Sequence, residues 1–319
     1  MYDYINDDIF KIEELAVLIA AATKIGKLDE RILNSSSPDT FYFAPILRDC
    51  AISIASLEGE LVRTESLCRL LGNREITNID RSVRLAADIY DALYIMCKLN
   101  DKVPSEKQIR KIFATSEKSS GRVMKQELIW NLEEDCQWLC EELSSLFETP
   151  SAHAAITAIN EIWSSGRFLG SNRRIAMIMS GWILSKGFNC ASPILGLPIY
   201  ISKEIDEFRE ASSNAKTWIT MISQSLRELG DDGINKINNG AASKLSMLTL
   251  CPPLKTTSSI ENAIDFIMVS PVFTAKLIGE ALQLTPRGTK IILDKLEEAE
   301  IIEAEGGRMN RNFVCRRAM

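Results

Sequence analysis

Over most of the chain apolar residues return at steps of three and four, the spacing that gives a helix one apolar stripe. This periodicity predicts helices over about 9–33, 41–57, 61–72, 78–98, 106–114 and 123–147, with ends uncertain by roughly two to four residues. The small, polar, glycine-bearing stretch TSEKSSGR at 115–122 interrupts the pattern and reads as a mobile linker. Further on, Ile175, Ile178, Met179, Trp182 and Ile183 line one face, and Gly187 reads as the C-terminal cap of their helix. No repeat of fixed period is present. The prediction is an all-α protein.

The last sixty or so residues read as three short helices and a two-stranded wing. Ile260, Ala263, Ile264, Ile267 and Met268 form the stripe of the first helix, which Pro271 ends. Thr274 is placed to cap a second, lined by Leu277, Ile278, Ala281 and Leu282. Thr285-Pro286 is an N-cap followed by proline at the first helical position, where its missing N–H costs nothing. In the third helix Ile292, Leu293, Leu296 and Ala299 face inward. Ile301 and Ile302 open a strand, Gly306-Gly307 allows a turn, and the chain returns through Phe313 and Val314. This is the pattern of a winged helix-turn-helix. A recognition helix enters the major groove by its N-terminal residues, so Arg287, Thr289 and Lys290 are the candidates to meet DNA bases. Arg308, Asn310 and Arg311 on the wing are the candidates to meet phosphates.

Charge alters this picture only moderately. From residue 255 onward there are nine Lys/Arg and nine Asp/Glu, whereas the preceding 254 residues hold 28 against 34. The basic strip is local, so DNA affinity is expected to be modest and sensitive to salt. At 319 residues and 46% apolar composition the chain can hold about two core-forming domains. No apolar run reaches the ~18 residues of a membrane span, and the acidic start MYDYINDDIF differs from a basic secretory leader, so a cytoplasmic location is expected.

Candidate chemistry is sparse. The eight cysteines form no Cys-x-x-Cys pair, so no metal site is expected; Cys136 and Cys140, four apart, read as packed thiols. The single histidine, His153, lies just inside a helix start with no carboxylate or nucleophile near it in sequence. The acidic run Glu133, Glu134, Asp135, Glu141 and Glu142 could attract a basic partner but reads as a solvated face. Arg173 and Arg174 are unusual, because they sit at a helix N-terminus whose dipole is already positive. Either a phosphate-type anion binds at Ser171, Asn172 and Arg174, or an internal carboxylate neutralises them.

The run from Gly166 to Arg174 resembles a degenerate form of the Fic signature, His-Pro-Phe-x-x-Gly-Asn-Gly-Arg, with Phe168, Asn172 and Arg174 matching. The downstream LGLPIYISKEIDEFREAS and Trp218 are similar to the family's continuation. The resemblance implies an all-helical fold of enzymes that mostly transfer AMP to a target hydroxyl, many of them with a C-terminal winged helix. It also implies lost chemistry. Gly166 stands where the catalytic histidine would be, Gly170 where the magnesium carboxylate would be, and Ser171 and Arg173 where the phosphate-cradling glycines would be. Such a base is worth about 100- to 10,000-fold in rate. Upstream, SIASLEGELVRTESL is similar to the Glu-Gly segment of Fic inhibitory helices, with Ile54 at the usual Ser/Thr, and this makes Glu58 a candidate partner of Arg174. The run FAPILRDCAISIASLEGELV, with the C-terminal pattern, resembles an uncharacterised alphaproteobacterial family that ends in a DNA-binding helix-turn-helix.

The resulting expectation is a catalytically inactive Fic-like helical domain over 1–254, its degenerate motif at 166–174, followed by a winged helix-turn-helix over 255–319. The protein would be a transcriptional regulator that uses no cofactor and no metal. Its expected partners are DNA, a second copy in a homodimer, and a protein partner of the body. The alternatives are an AMP transferase with an unconventional base and an antitoxin-like protein-interaction module.

Overall fold

The computed structural model describes residues 2–99, 103–120, 126–251, 257–306 and 311–319. Among the described residues it is mainly helical, with three short strands. The body runs through α1 (Tyr2–Leu33), α2 (Ala44–Leu57), α3 (Thr64–Gly72), α4 (Arg81–Cys97), α5 (Glu106–Ser116), α6 (Gln126–Glu148), α7 (Ala152–Ser164), α8 (Asn172–Gly187), α9 (Leu197–Lys203), α10 (Ile205–Ala211) and α11 (Ala215–Leu250).

At its centre stands α8, where every residue from Arg174 to Ser185 is buried. A helix apolar on all sides has to be enclosed by others, and α4, α7 and α9 enclose this one. Gly187 is helical, and the left-handed residue beyond the helix end is Asn189, φ 52°. A side chain at Gly187 would lie 2.3 Å from Ala155 Cβ and 2.8 Å from the Ser151 carbonyl oxygen. The glycine therefore permits the start of α7 to cross the end of α8, and does not act as the cap its position suggested. Ser151 caps α7 by accepting from the Ala154 N–H at 3.1 Å.

Against this core lie α1 and the long α11, side by side. Lys24 pairs with Asp231 at 2.5 Å and Arg31 with Asn238 at 2.7 Å, an equal offset of 207 residues, so the two helices run in the same direction. Gly230 and Gly233 allow the close approach, since a Cβ at either would fall 2.7 Å from a side-chain atom of Lys24 or Leu28.

The C-terminal unit comprises α12 (Thr257–Val269), β1 (Val272–Thr274), α13 (Ala275–Ala281), α14 (Pro286–Glu298), β2 (Glu303–Glu305) and β3 (Asn312–Val314). The strands form one antiparallel sheet in the order β1-β3-β2, with Phe273 opposite Phe313. Thr274 and Thr285 each accept the N–H three residues on, at 3.2 Å, and so cap α13 and α14. Three residues between Pro271 and α13 are too few to show a period, and β1 was accordingly invisible to the hydrophobic pattern.

The unit is fastened to the body. Arg48 of α2, buried, donates to the Val269 carbonyl at the end of α12 (2.8 Å) and to the Ala318 carbonyl (3.2 Å). A cation there complements the negative end of the α12 dipole. Gly72 meets β1 so closely that a Cβ would fall 1.8 Å from the Val272 oxygen, and Cys68 packs on Val272 and Val314. Lys244 of α11 pairs with Asp265 at 2.8 Å and Glu261 at 3.0 Å. Among the described residues no helix is long and apolar enough to cross a membrane.

Candidate functional site

The loop joining α7 to α8 holds the degenerate motif in an unusual backbone shape. Gly166 and Gly170 have φ of 67° and 84°, and Phe168 and Leu169 between them have 55° and 56°. Left-handed backbone costs a non-glycine residue roughly 1–2 kcal/mol, so the surroundings must hold it. Asp135 of α6, buried, accepts the Phe168 N–H at 2.6 Å and pairs with Arg167 at 3.1 Å. The Phe168 ring is fully buried, 5.9 Å from that of Phe113. Asp135 is thus an anchor facing inward, and the solvated-face reading of its acidic run does not hold for it.

One turn into α8 the sequence's odd arginine meets two carboxylates. Arg174, only 3% exposed, donates from Nε to Glu58 Oε1 at 2.6 Å, and from a terminal nitrogen to the second Glu58 oxygen. The other terminal nitrogen donates to Glu117 Oε1 at 2.6 Å and to the Ser116 carbonyl at 2.9 Å. Ser171 donates to the same Glu117 oxygen at 2.6 Å, and Asn172 donates to the Trp163 carbonyl. The positions assigned to a bound anion by Ser171, Asn172 and Arg174 are therefore taken by the chain's own acceptors. Glu58 comes from the C-terminal end of α2. Glu117, fully buried, comes from the stretch read as a mobile linker, whose first residues instead close the site. Arg173 turns outward over the Trp163 ring at 5.3 Å.

Elsewhere the chemistry stays sparse. His153 is exposed on the first turn of α7. Burial raises the Cys136 thiol to about 12, far from a nucleophilic thiolate. No group of three or more metal-binding side chains occurs among the described residues.

In the C-terminal unit Arg287 and Lys290 are exposed on α14. Thr289 is not available with them. It is 5% exposed, its hydroxyl bonds the Thr285 carbonyl at 3.1 Å, and it fills the space that a side chain at Gly279 would need, 2.8 Å from that Cβ position. Three residues before Ile292 and four before Leu293, it belongs to the inward face. Arg311 pairs with Glu297 at 2.7 Å and lies over the Phe313 ring at 5.2 Å. Arg308 and Asn310 lie outside the described residues. A cleft of about 560 Å³ between α13, α14 and β3 is lined by Lys276, Lys290, Asp294 and Glu297 around apolar Leu293 and Phe313.

No protein-family model matches the sequence, and no curated protein matches it. Among solved structures the chain is similar to the crystal structure of a Fic family protein from Desulfovibrio desulfuricans G20. The TM-score is 0.50 at 11% identity, over 93% of this chain and 95% of that one. With so little shared sequence the similarity speaks for architecture alone: the chain has an all-α, Fic-like fold.

Proposed function

We propose that this protein is a DNA-binding regulator in which the Fic-like body is catalytically inactive and the C-terminal unit acts as a winged helix-turn-helix. The observation that carries the reading is α14 itself. Capped by Thr285, with its apolar face buried, it presents Arg287 and Lys290 on its exposed N-terminal half with no ion-pair partner among the described residues. That is the part of a recognition helix that reaches base edges. Lys276 on the neighbouring cleft wall is a further candidate phosphate contact.

Inactivity of the body is supported by the site's geometry. Magnesium-nucleotide chemistry of the kind the fold family performs does not fit these residues, because no carboxylate stands at Gly170 and Arg174 is held by Glu58 and Glu117. A side chain at Gly166 would meet nothing within 4 Å, so space does not exclude a histidine, but the φ of 67° there disfavours one. Incubation with labelled ATP and a native lysate is expected to give no label above a denatured control; transfer above that level would overturn the inactive reading.

The DNA reading is tested by selecting genomic fragments with full-length protein at two salt concentrations. One short motif, bound more weakly at high salt, is expected, with a loss of about 10- to 100-fold in Arg287→Ala/Lys290→Ala. Uniform or absent recovery would favour a second reading, a protein-interaction module, for which the apolar Leu284, Pro286, Leu293 and Phe313 of the cleft speak.

A further inference from the structure

A third residue on α14 deepens the proposed function and rests on it. In the described part of the C-terminal unit the large apolar side chains are buried or half-buried, save two: the terminal Met319 and Ile291, which is 49% exposed. Ile291 follows Arg287 by one helical turn and precedes Asp294 by three residues, so the three share one exposed row. The core stripe of Ile292, Leu293 and Leu296 faces the other way. Ile291 and Arg287 are also absent from the lining of the cleft, and so stand on the helix's outer crest.

A lone exposed isoleucine needs no explanation on an arbitrary surface. Here it stands beside two exposed cations without ion-pair partners among the described residues, at the depth on the helix where base edges are met. The major groove offers one apolar group, the C5-methyl of thymine, and an apolar side chain is what recognises it. We infer that Ile291 is a specificity-determining residue that packs on a thymine methyl. Four residues separate it from Arg287, an advance of about 6 Å along the helix, so this thymine lies near the base pair that Arg287 reads. Asp294, next in the row, is repelled by phosphate, and the helix therefore enters by its N-terminal half.

The test uses the duplex recovered by genomic selection, resynthesised with thymines replaced singly by uracil, which lacks only the methyl. At one position the replacement is expected to weaken binding of full-length protein about three- to fivefold, the worth of one buried methyl. The Ile291→Ala protein should bind the thymine and uracil duplexes equally and retain its fold by circular dichroism, since the side chain is outside the core. A duplex that is selected, yet insensitive to uracil at every thymine or equally sensitive in Ile291→Ala, overturns this inference and leaves the DNA reading standing. If no duplex is selected, both fall.

Discussion

The charged groups around Arg174 and those on the crest of α14 differ in what they have already satisfied. At Arg174 the buried guanidinium, the buried Glu117 carboxylate, the partly exposed Glu58 carboxylate and the Ser171 hydroxyl are bonded to one another. On α14, Arg287 and Lys290 face solvent without ion-pair partners among the described residues, beside an exposed isoleucine. The first arrangement spends its electrostatics on holding α2, α5 and α8 together. The second leaves its cations open to solvent, where the proposed DNA contact would use them. Motif resemblance directs attention to the first region, and physical availability directs it to the second.

The sharpest way to break this contrast is to remove the charge from each region and compare stability. Arg174→Met leaves Glu58 and the fully buried Glu117 without their shared cation, which is expected to cost about 3–5 kcal/mol in urea unfolding. Arg287→Ala/Lys290→Ala is expected to stay within about 0.5 kcal/mol. A small loss in the first variant would show that the network contributes little to the fold, and the contrast would collapse.

Arg48 tests whether the two regions are mechanically joined, because α2 carries both Glu58 at its C-terminal end and the arginine that grips the C-terminal unit. Arg48→Met deprives two carbonyls of a charged donor and is expected to cost about 2–3 kcal/mol. Amide exchange should rise first in β1, β3 and α12, while α8 stays protected. Equal loosening of α8 would mean that body and C-terminal unit open as one.

Much of this was legible in the sequence. Most helices up to α6, and those of the C-terminal unit, were, because burial on one face imposes a period, and the Glu58–Arg174 pairing followed from the resemblance of the Glu-Gly segment to Fic inhibitory helices. Glu117 was not: a single buried carboxylate leaves no period, and its neighbours Ser116, Lys118 and Ser119 have the composition of a linker. Asp135 could have been found. It follows Leu132 by three residues and precedes Leu139 by four, and so sits on the buried stripe, whereas Glu133, rotated about 200° from it, pairs outward with Arg110 at 2.7 Å. The same reasoning places Thr289 inward. In both cases a residue's type suggested solvent while its register on the helix required burial.

The smallest expected effect concerns a pair of charges that is neither satisfied nor free. Glu161 on α7 stands against Glu142 on α6, and its carboxyl is raised above the usual range, by burial first and then by the neighbouring carboxylate and their shared hydrogen bond. A carboxyl whose folded pKa lies above its unfolded value destabilises the fold at high pH, and that penalty disappears as pH falls below the unfolded value. Glu142→Gln keeps the hydrogen-bonding shape and removes the repulsion. It should stabilise the protein by about 0.2–0.5 kcal/mol near pH 7, a modest figure because the pair is partly solvated. Urea midpoints for wild type and variant should therefore separate at neutral pH and converge toward pH 4. A gain that persists at low pH would mean that the glutamine acts by packing or helix propensity, and that the two carboxylates already share a proton at no cost.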